Sequence, residues 1–137
     1  MNQIPETAEN AGHFPTRQLD GEKIIEQGTN SVIVEFSVPG TNPYFDGHFP
    51  GFPILPAIAQ IELVIRYASR FFETGIDISE IPRIKFTNLI RPSAPLALKL
   101  ERKDKTISFK MYSPGDESVY SAGTLKIREN NVLKESL

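Results

Sequence analysis

His48 and Glu62 are the side chains of this sequence best suited to moving protons, and both lie in one stretch, GHFPGFPILPAIAQIE, residues 47 to 62. A neutral imidazole is a competent base near neutral pH, its unperturbed pKa being about 6.5. A carboxyl group that keeps or shares a proton is the complementary acid. Such a pair could serve general acid–base chemistry. Each residue also has a structural reading. A single histidine can be a satisfied core residue, and no second imidazole or thiolate stands nearby to make a metal site. Glu62 and Arg66 form an i, i+4 pair of favourable polarity, a surface feature contributing about 0.2 to 0.5 kcal/mol.

The elements that must position the pair can be read around them. Pro50, Pro53 and Pro56 recur every third residue, as in polyproline II, but Gly51, Phe52, Ile54 and Leu55 between them are poor linker material. The stretch therefore predicts a rigid, extended, buried approach to a helix. The helix follows as PAIAQIELVIRYASRFFETG, with proline in its first turn and Gly75 as its C-terminal stop. On a helical wheel Ala57, Ile58, Ile61, Val64, Ile65, Ala68, Phe71 and Phe72 form a broad apolar arc, opposite Glu62, Arg66, Ser69, Arg70 and Glu73. Before it, SVIVEFSV alternates with period two and predicts a half-buried strand, closed by PGTNP. After it come four strand-like runs, IPRIKFTNLI, LALKLER, TISFKMY and SVYSAGTLKIR, joined by the turn-rich segments RPSAP, KDK and SPGDE. Leu96, Leu98 and Leu100 share one face of their run, and Ile107, Phe109 and Met111 one face of theirs. Short connections favour antiparallel pairing. The fold class is α+β: one long helix wrapped by a curved antiparallel sheet of five to six strands.

At 137 residues the chain is one domain's length. Residues 1–18 read as a flexible arm, 19–130 as the domain and 131–137 as a C-terminal tail. The absence of cysteine excludes disulfides and thiolate chemistry and suits a reducing cytoplasm. No apolar run approaches the roughly 20 residues of a membrane helix, and the N-terminus lacks the pattern of a signal peptide, so neither membrane insertion nor export is expected. Net charge is −2 and unevenly spread: residues 81–110 carry 8 basic and 2 acidic side chains. Arg83, Lys85, Arg91, Arg102 and Lys103 are either a solvated sheet surface or a docking patch for an acidic partner. Nucleic acid is disfavoured by the negative net charge and the lack of any binding motif.

The stretch GHFPGFPILPAIAQIE resembles the signature of FabA/FabZ-type 3-hydroxyacyl-acyl-carrier-protein dehydratases, approximately GHFPxxPxxPGxxxxE/D, through Gly47, His48, Phe49, Pro50, Pro53, Pro56 and Glu62. FTNLIRPSAPL is similar to that family's FxxxxxPGDxL strand through Phe86, Pro92 and Leu96. The resemblance spans roughly residues 20 to 128, and its flavour is nearest the dehydratase-like proteins of aryl polyene clusters. Two departures stand out: Ala57 replaces the glycine after the third proline, and PSA, residues 92–94, replaces Pro-Gly-Asp.

The resemblance implies a hotdog fold and removal of water from a 3-hydroxyacyl thioester carried on the phosphopantetheine of an acyl carrier protein, with no metal or other cofactor. It implies His48 as base, Glu62 as acid and the Ala57 N–H as a donor to the thioester oxygen. Tyr44, Phe45, Phe49 and Phe52 could line an acyl tunnel or simply pack the core, Phe49 and Phe52 being the tunnel candidates. In such a family the histidine of one subunit faces the acid of the other, so a homodimer with two shared sites is expected. Two alternatives stand beside this one: a hotdog thioesterase using Glu62 to activate water, and a non-catalytic acyl-binding or dimerisation subunit.

Overall fold

The computed structural model describes residues 19–46, 51–77 and 83–128. The strands are β1 (Asp20–Gln27), β2 (Ser31–Ser37), β3 (Gly75–Asp77), β4 (Ile84–Phe86), β5 (Leu96–Lys103), β6 (Thr106–Tyr112) and β7 (Val119–Arg128), with one α-helix, α1 (Ala57–Phe72), between β2 and β3. All strand pairs are antiparallel. Six strands lie on one path, β1-β2-β5-β6-β7-β3, and the short β4 also pairs with β7. The predicted arm, residues 1–18, and the tail, residues 131–137, lie outside the described residues, as does the start of the IPRIKFTNLI run.

Side chains on successive strand residues point to opposite faces, and β2 follows this along its length, alternating between half-buried and buried. Val32, Val34 and Phe36 face inward, joined by Leu96, Leu98 and Leu100 of β5 and Ile107, Phe109 and Met111 of β6. The sheet curls around α1, and this apolar face packs on Ala59, Leu63, Val64, Tyr67 and Ala68 of the helix. Burying each such aliphatic side chain contributes about 1.5 to 3 kcal/mol, so the face between helix and sheet dominates the fold. No helix of the described residues is long and apolar enough to cross a membrane.

The buried face of α1 is turned relative to the expected one. Ala57 and Ile58 were expected inside, yet Ala57 is exposed and Ile58 is 63% exposed, while Ile61 and Ile65 are only half-buried. The helix is apolar around much of its circumference, and Tyr67 decides which side wins. Its ring lies 5.3 Å from that of Phe36 and stacks on Phe71 at 6.1 Å. Its hydroxyl donates to Glu22 of β1 at 3.0 Å, and Arg70 pairs with the same carboxylate at 2.7 Å. This anchors a strand the sequence pattern does not reveal: all eight residues of β1 are exposed, so no alternation marks it.

The end of α1 also differs. The helix stops at Phe72 and Glu73 takes the left-handed C-cap, with φ 53°; Gly75 instead opens β3, where an added Cβ would lie 3.0 Å from the Arg128 guanidinium. The tightest glycine is Gly123 of β7. It pairs with Ile84 of β4, and a Cβ there would come within 2.7 Å of the Arg83 carbonyl oxygen and 3.1 Å of Ile84 Cα. Because the obstruction is backbone, Gly123→Ala is expected to displace β4 and cost about 1 to 3 kcal/mol. A lower urea midpoint at unchanged slope is the readout, and an unaltered midpoint would show that β4 yields freely.

Candidate active site

Three short segments frame the candidate site: the turn that ends at Asp46, the start of α1, and the chain around Ile90. After β2, the Asn42 N–H donates to Pro39 O at 2.9 Å. The Asn42 side chain then caps a 3-10 helix (Pro43–Phe45), its Oδ1 accepting from the Tyr44 N–H at 2.8 Å, with proline favouring the first turn. Asn42 and Phe45 are buried, so Phe45 belongs to the core. His48 and Phe49 lie in 47–50, outside the described residues, so the expected approach of His48 to Glu62 is not described.

The chain resumes at Gly51, whose φ of +82° favours glycine. Phe52 is 46% exposed, and the Arg91 guanidinium covers its ring at 4.2 Å. The predicted rigid approach to the helix is held at Leu55, which is buried: its N–H donates to Ile90 O at 2.8 Å, and its carbonyl accepts from Gln60 Nε2 at 3.2 Å. Both backbone groups of Leu55 are thereby tied, one to the loop before β5 and one to the first turn of α1.

Pro56 is the N-cap of α1 and supplies no side-chain cap. The first intrahelical bond runs from Gln60 N to Pro56 O, which leaves the N–H groups of Ala57, Ile58 and Ala59 without intrahelical acceptors, at the positive end of the helix dipole. Glu62 is half-buried on the side of α1 away from Leu63 and Tyr67. Burial first, and then the charge and hydrogen-bonding reach of the Glu62 carboxylate, raise the Tyr44 phenol pKa well above its ordinary value, with Arg66 opposing. The Tyr44 hydroxyl is buried without a hydrogen-bond partner, as are Asn42 Nδ2 and Gln60 Oε1.

The turn after Ile90 answers one of the two departures. Ser93, where the resemblance expects glycine, has φ +65°, and its N–H donates to Val38 O at 2.7 Å. The backbone conformation is thus the one that favours glycine, adopted by serine at a steric cost. Ser93→Gly is expected to stabilise the protein by about 0.5 to 1 kcal/mol, the left-handed penalty less the extra entropy of glycine. A thermal midpoint that falls would contradict it. The basic residues divide between two places: Arg83, Lys85 and Arg91 are exposed on and beside β4, while Arg102 and Lys103 end β5. Among the described residues no group of three or more His, Cys, Asp or Glu side chains is placed to hold a metal ion.

The family model of the ApeI dehydratases, ApeI-like, matches residues 24–124. The chain belongs to the ApeI-like dehydratase family. This ApeI-like chain is 31% identical over 111 residues to the 3-hydroxyacyl-[acyl-carrier-protein] dehydratase FabZ of Syntrophobacter fumaroxidans, covering 73% of this chain and 76% of that protein. It is 32% identical over 87 residues, 58% of this chain, to the bifunctional enzyme LpxC/FabZ of Porphyromonas gingivalis, of whose length it spans only 19%. Among solved structures, the dehydratase heterocomplex ApeI:P from Xenorhabdus doucetiae superposes with a TM-score of 0.68 at 26% identity, over 80% of this chain and 99% of that one. A hypothetical thioesterase of Streptococcus pneumoniae superposes with a TM-score of 0.56 at 10% identity, over 80% and 88% of the two chains, a likeness of fold alone. The ApeI-like chain has the hotdog fold.

Proposed function

We propose that the chain is a 3-hydroxyacyl-[acyl-carrier-protein] dehydratase, yielding the trans-2-enoyl thioester in fatty-acid or polyene-type synthesis in the cytoplasm. The observation that carries this reading is the start of α1: an uncapped helix end with free N–H groups at Ala57, and Glu62 half-buried little more than one turn along. In the proposed reaction His48 takes a proton from C2 of the substrate. The electron pair of that C–H bond becomes the C2=C3 double bond, and the C3–O bond breaks as Glu62 delivers its proton to the departing hydroxyl, which leaves as water. Negative charge grows on the thioester oxygen as C2 is deprotonated, and donors fixed there are worth more than the same donors in water. The Ala57 N–H fits that task; alanine keeps the donor that glycine would supply. Proton exchange with solvent returns His48 and Glu62 to their starting states. No cofactor is proposed beyond the phosphopantetheine that carries the substrate.

The proposed assembly is a homodimer in which His48 of one copy serves with Glu62 of the other. Support comes from the flank of α1 that one chain leaves uncovered, with Ile58 exposed and Ile61 and Ile65 half-buried, and from the chain's carrying both His48 and Glu62. A chain with both can complete two sites with its own copy. The test is incubation with a short 3-hydroxyacyl thioester on carrier protein, following enoyl product and free thiol together. Enoyl product without thiol is expected. Thiol without enoyl product would identify a thioesterase, and saturable carrier-protein binding without turnover a non-catalytic subunit.

A further inference from the structure

We propose that Gln60 is a positioning residue for the Ala57 N–H: it holds the peptide planes on both sides of Pro56 and so fixes that donor relative to the rest of the site. The inference rests on the Ala57 N–H serving a dehydratase as donor to the thioester oxygen, and it gives a role to a position that the dehydratase signature leaves variable. Gln60 lies on the buried side of α1 with Ala59, Leu63, Val64 and Tyr67, and is only 5% exposed. A carboxamide placed there loses its hydration and recovers it only through hydrogen bonds. Its Nε2 donates to Leu55 O at 3.2 Å. Because that carbonyl can only accept, the nitrogen of the side chain, not the oxygen, has to face it. Oε1 is buried without a partner, so the side chain is oriented by its bond to Leu55.

The Pro56 carbonyl and the Ala57 N–H belong to the same planar peptide unit. The backbone N–H of Gln60 donates to Pro56 O at 3.1 Å, so the backbone of Gln60 holds the plane that carries the donor. The Leu55 carbonyl belongs to the preceding plane, which the side chain of Gln60 holds. That plane joins a segment already tied to the chain before β5, because the Leu55 N–H donates to Ile90 O at 2.8 Å. Between the two planes stand only the φ and ψ of Pro56, −72° and 161°. The ring locks φ at about −65°. The angle at which the approach segment meets the helix therefore depends on ψ, and ψ is fixed while Gln60 bonds both carbonyls. Without the side-chain bond the helix end can pivot against the approach, and the Ala57 N–H turns with it.

Gln60→Met keeps the length of the side chain and removes its donor. Outright loss of an oxyanion donor lowers kcat by about 100- to 1,000-fold; for a donor that is misdirected but present, kcat per folded enzyme is expected to fall about 10- to 100-fold. KM stays within about twofold, because charge on the thioester oxygen develops in the transition state. A readout independent of turnover is the 1H–15N resonance of the Ala57 amide, which moves in Gln60→Met while those of β5 and β6 stay in place. Should Gln60→Met not fold, Gln60→Asn, which keeps a carboxamide but is a methylene too short to reach Leu55, is held to the same outcomes. The parent supplies a further one: its Gln60 carboxamide protons exchange with solvent at least about tenfold more slowly than those of the exposed Gln27. Unchanged kcat in a folded variant of an enzyme that does dehydrate its substrate overturns the assignment, and so does an unmoved Ala57 resonance or a Gln60 side chain that exchanges as fast as Gln27. If the wild-type protein forms no enoyl product, the dehydratase reading falls instead, and the Ala57 resonance still decides whether Gln60 holds that donor.

Discussion

Glu62→Gln is expected to lower the rate of enoyl formation from a 3-hydroxyacyl thioester by about 100- to 10,000-fold, the usual contribution of a positioned general acid. His48→Ala should cause a loss of the same order, since the base is as necessary as the acid. Glutamine keeps the size and most of the packing of glutamate, and Glu62 is half-buried and outside the buried core, so its melting curve should match that of the parent. Rates come from enoyl absorbance and folding from circular dichroism. Full activity in either variant would remove that residue from the mechanism.

Mixing those two inactive variants should restore activity. In a two-fold symmetric dimer with shared sites, a mixed pair has one site that lost both groups and one that kept both. After complete subunit exchange half the dimers are mixed, so about a quarter of the parent activity returns. Two sites each contained within a single subunit would give no recovery, and neither would a strictly monomeric enzyme. The same experiment separates a homodimer from an assembly with a different chain, because a foreign partner would not supply the missing group.

Much of the fold was legible where burial alternates along a strand. SVIVEFSV, LALKLER and TISFKMY became β2, β5 and β6 with the expected residues inside, because each presents one face to the helix. β1 was illegible for the opposite reason: exposed along its whole length, it is held by backbone pairing and by Glu22, and neither leaves a period in the sequence. Only Ile84–Phe86 of the described part of IPRIKFTNLI is strand, too short a run for a pattern to delimit. The position and length of α1 followed from its apolar spacing, but its orientation did not, since the Phe36 ring on β2 and a carboxylate on β1 select among several apolar sides. At the site, Ala57 and Glu62 stand at the start and in the second turn of the helix, as the spacing required. Tyr44 was read as lining a tunnel or packing the core, and it packs, half-buried, against the core.

Ser93 has a consequence for how much change this chain can absorb. Its left-handed backbone places it one substitution from a more stable sequence, so a gain of about 1 kcal/mol is available without touching the proposed chemistry. Changes that reshape the acyl site tend to destabilise by about that amount. A variant library begun from Ser93→Gly should therefore retain more folded members than one begun from the natural chain. It also follows that a search pattern demanding glycine at this turn selects for a residue, whereas the fold selects for a backbone conformation, and chains like this one would be passed over.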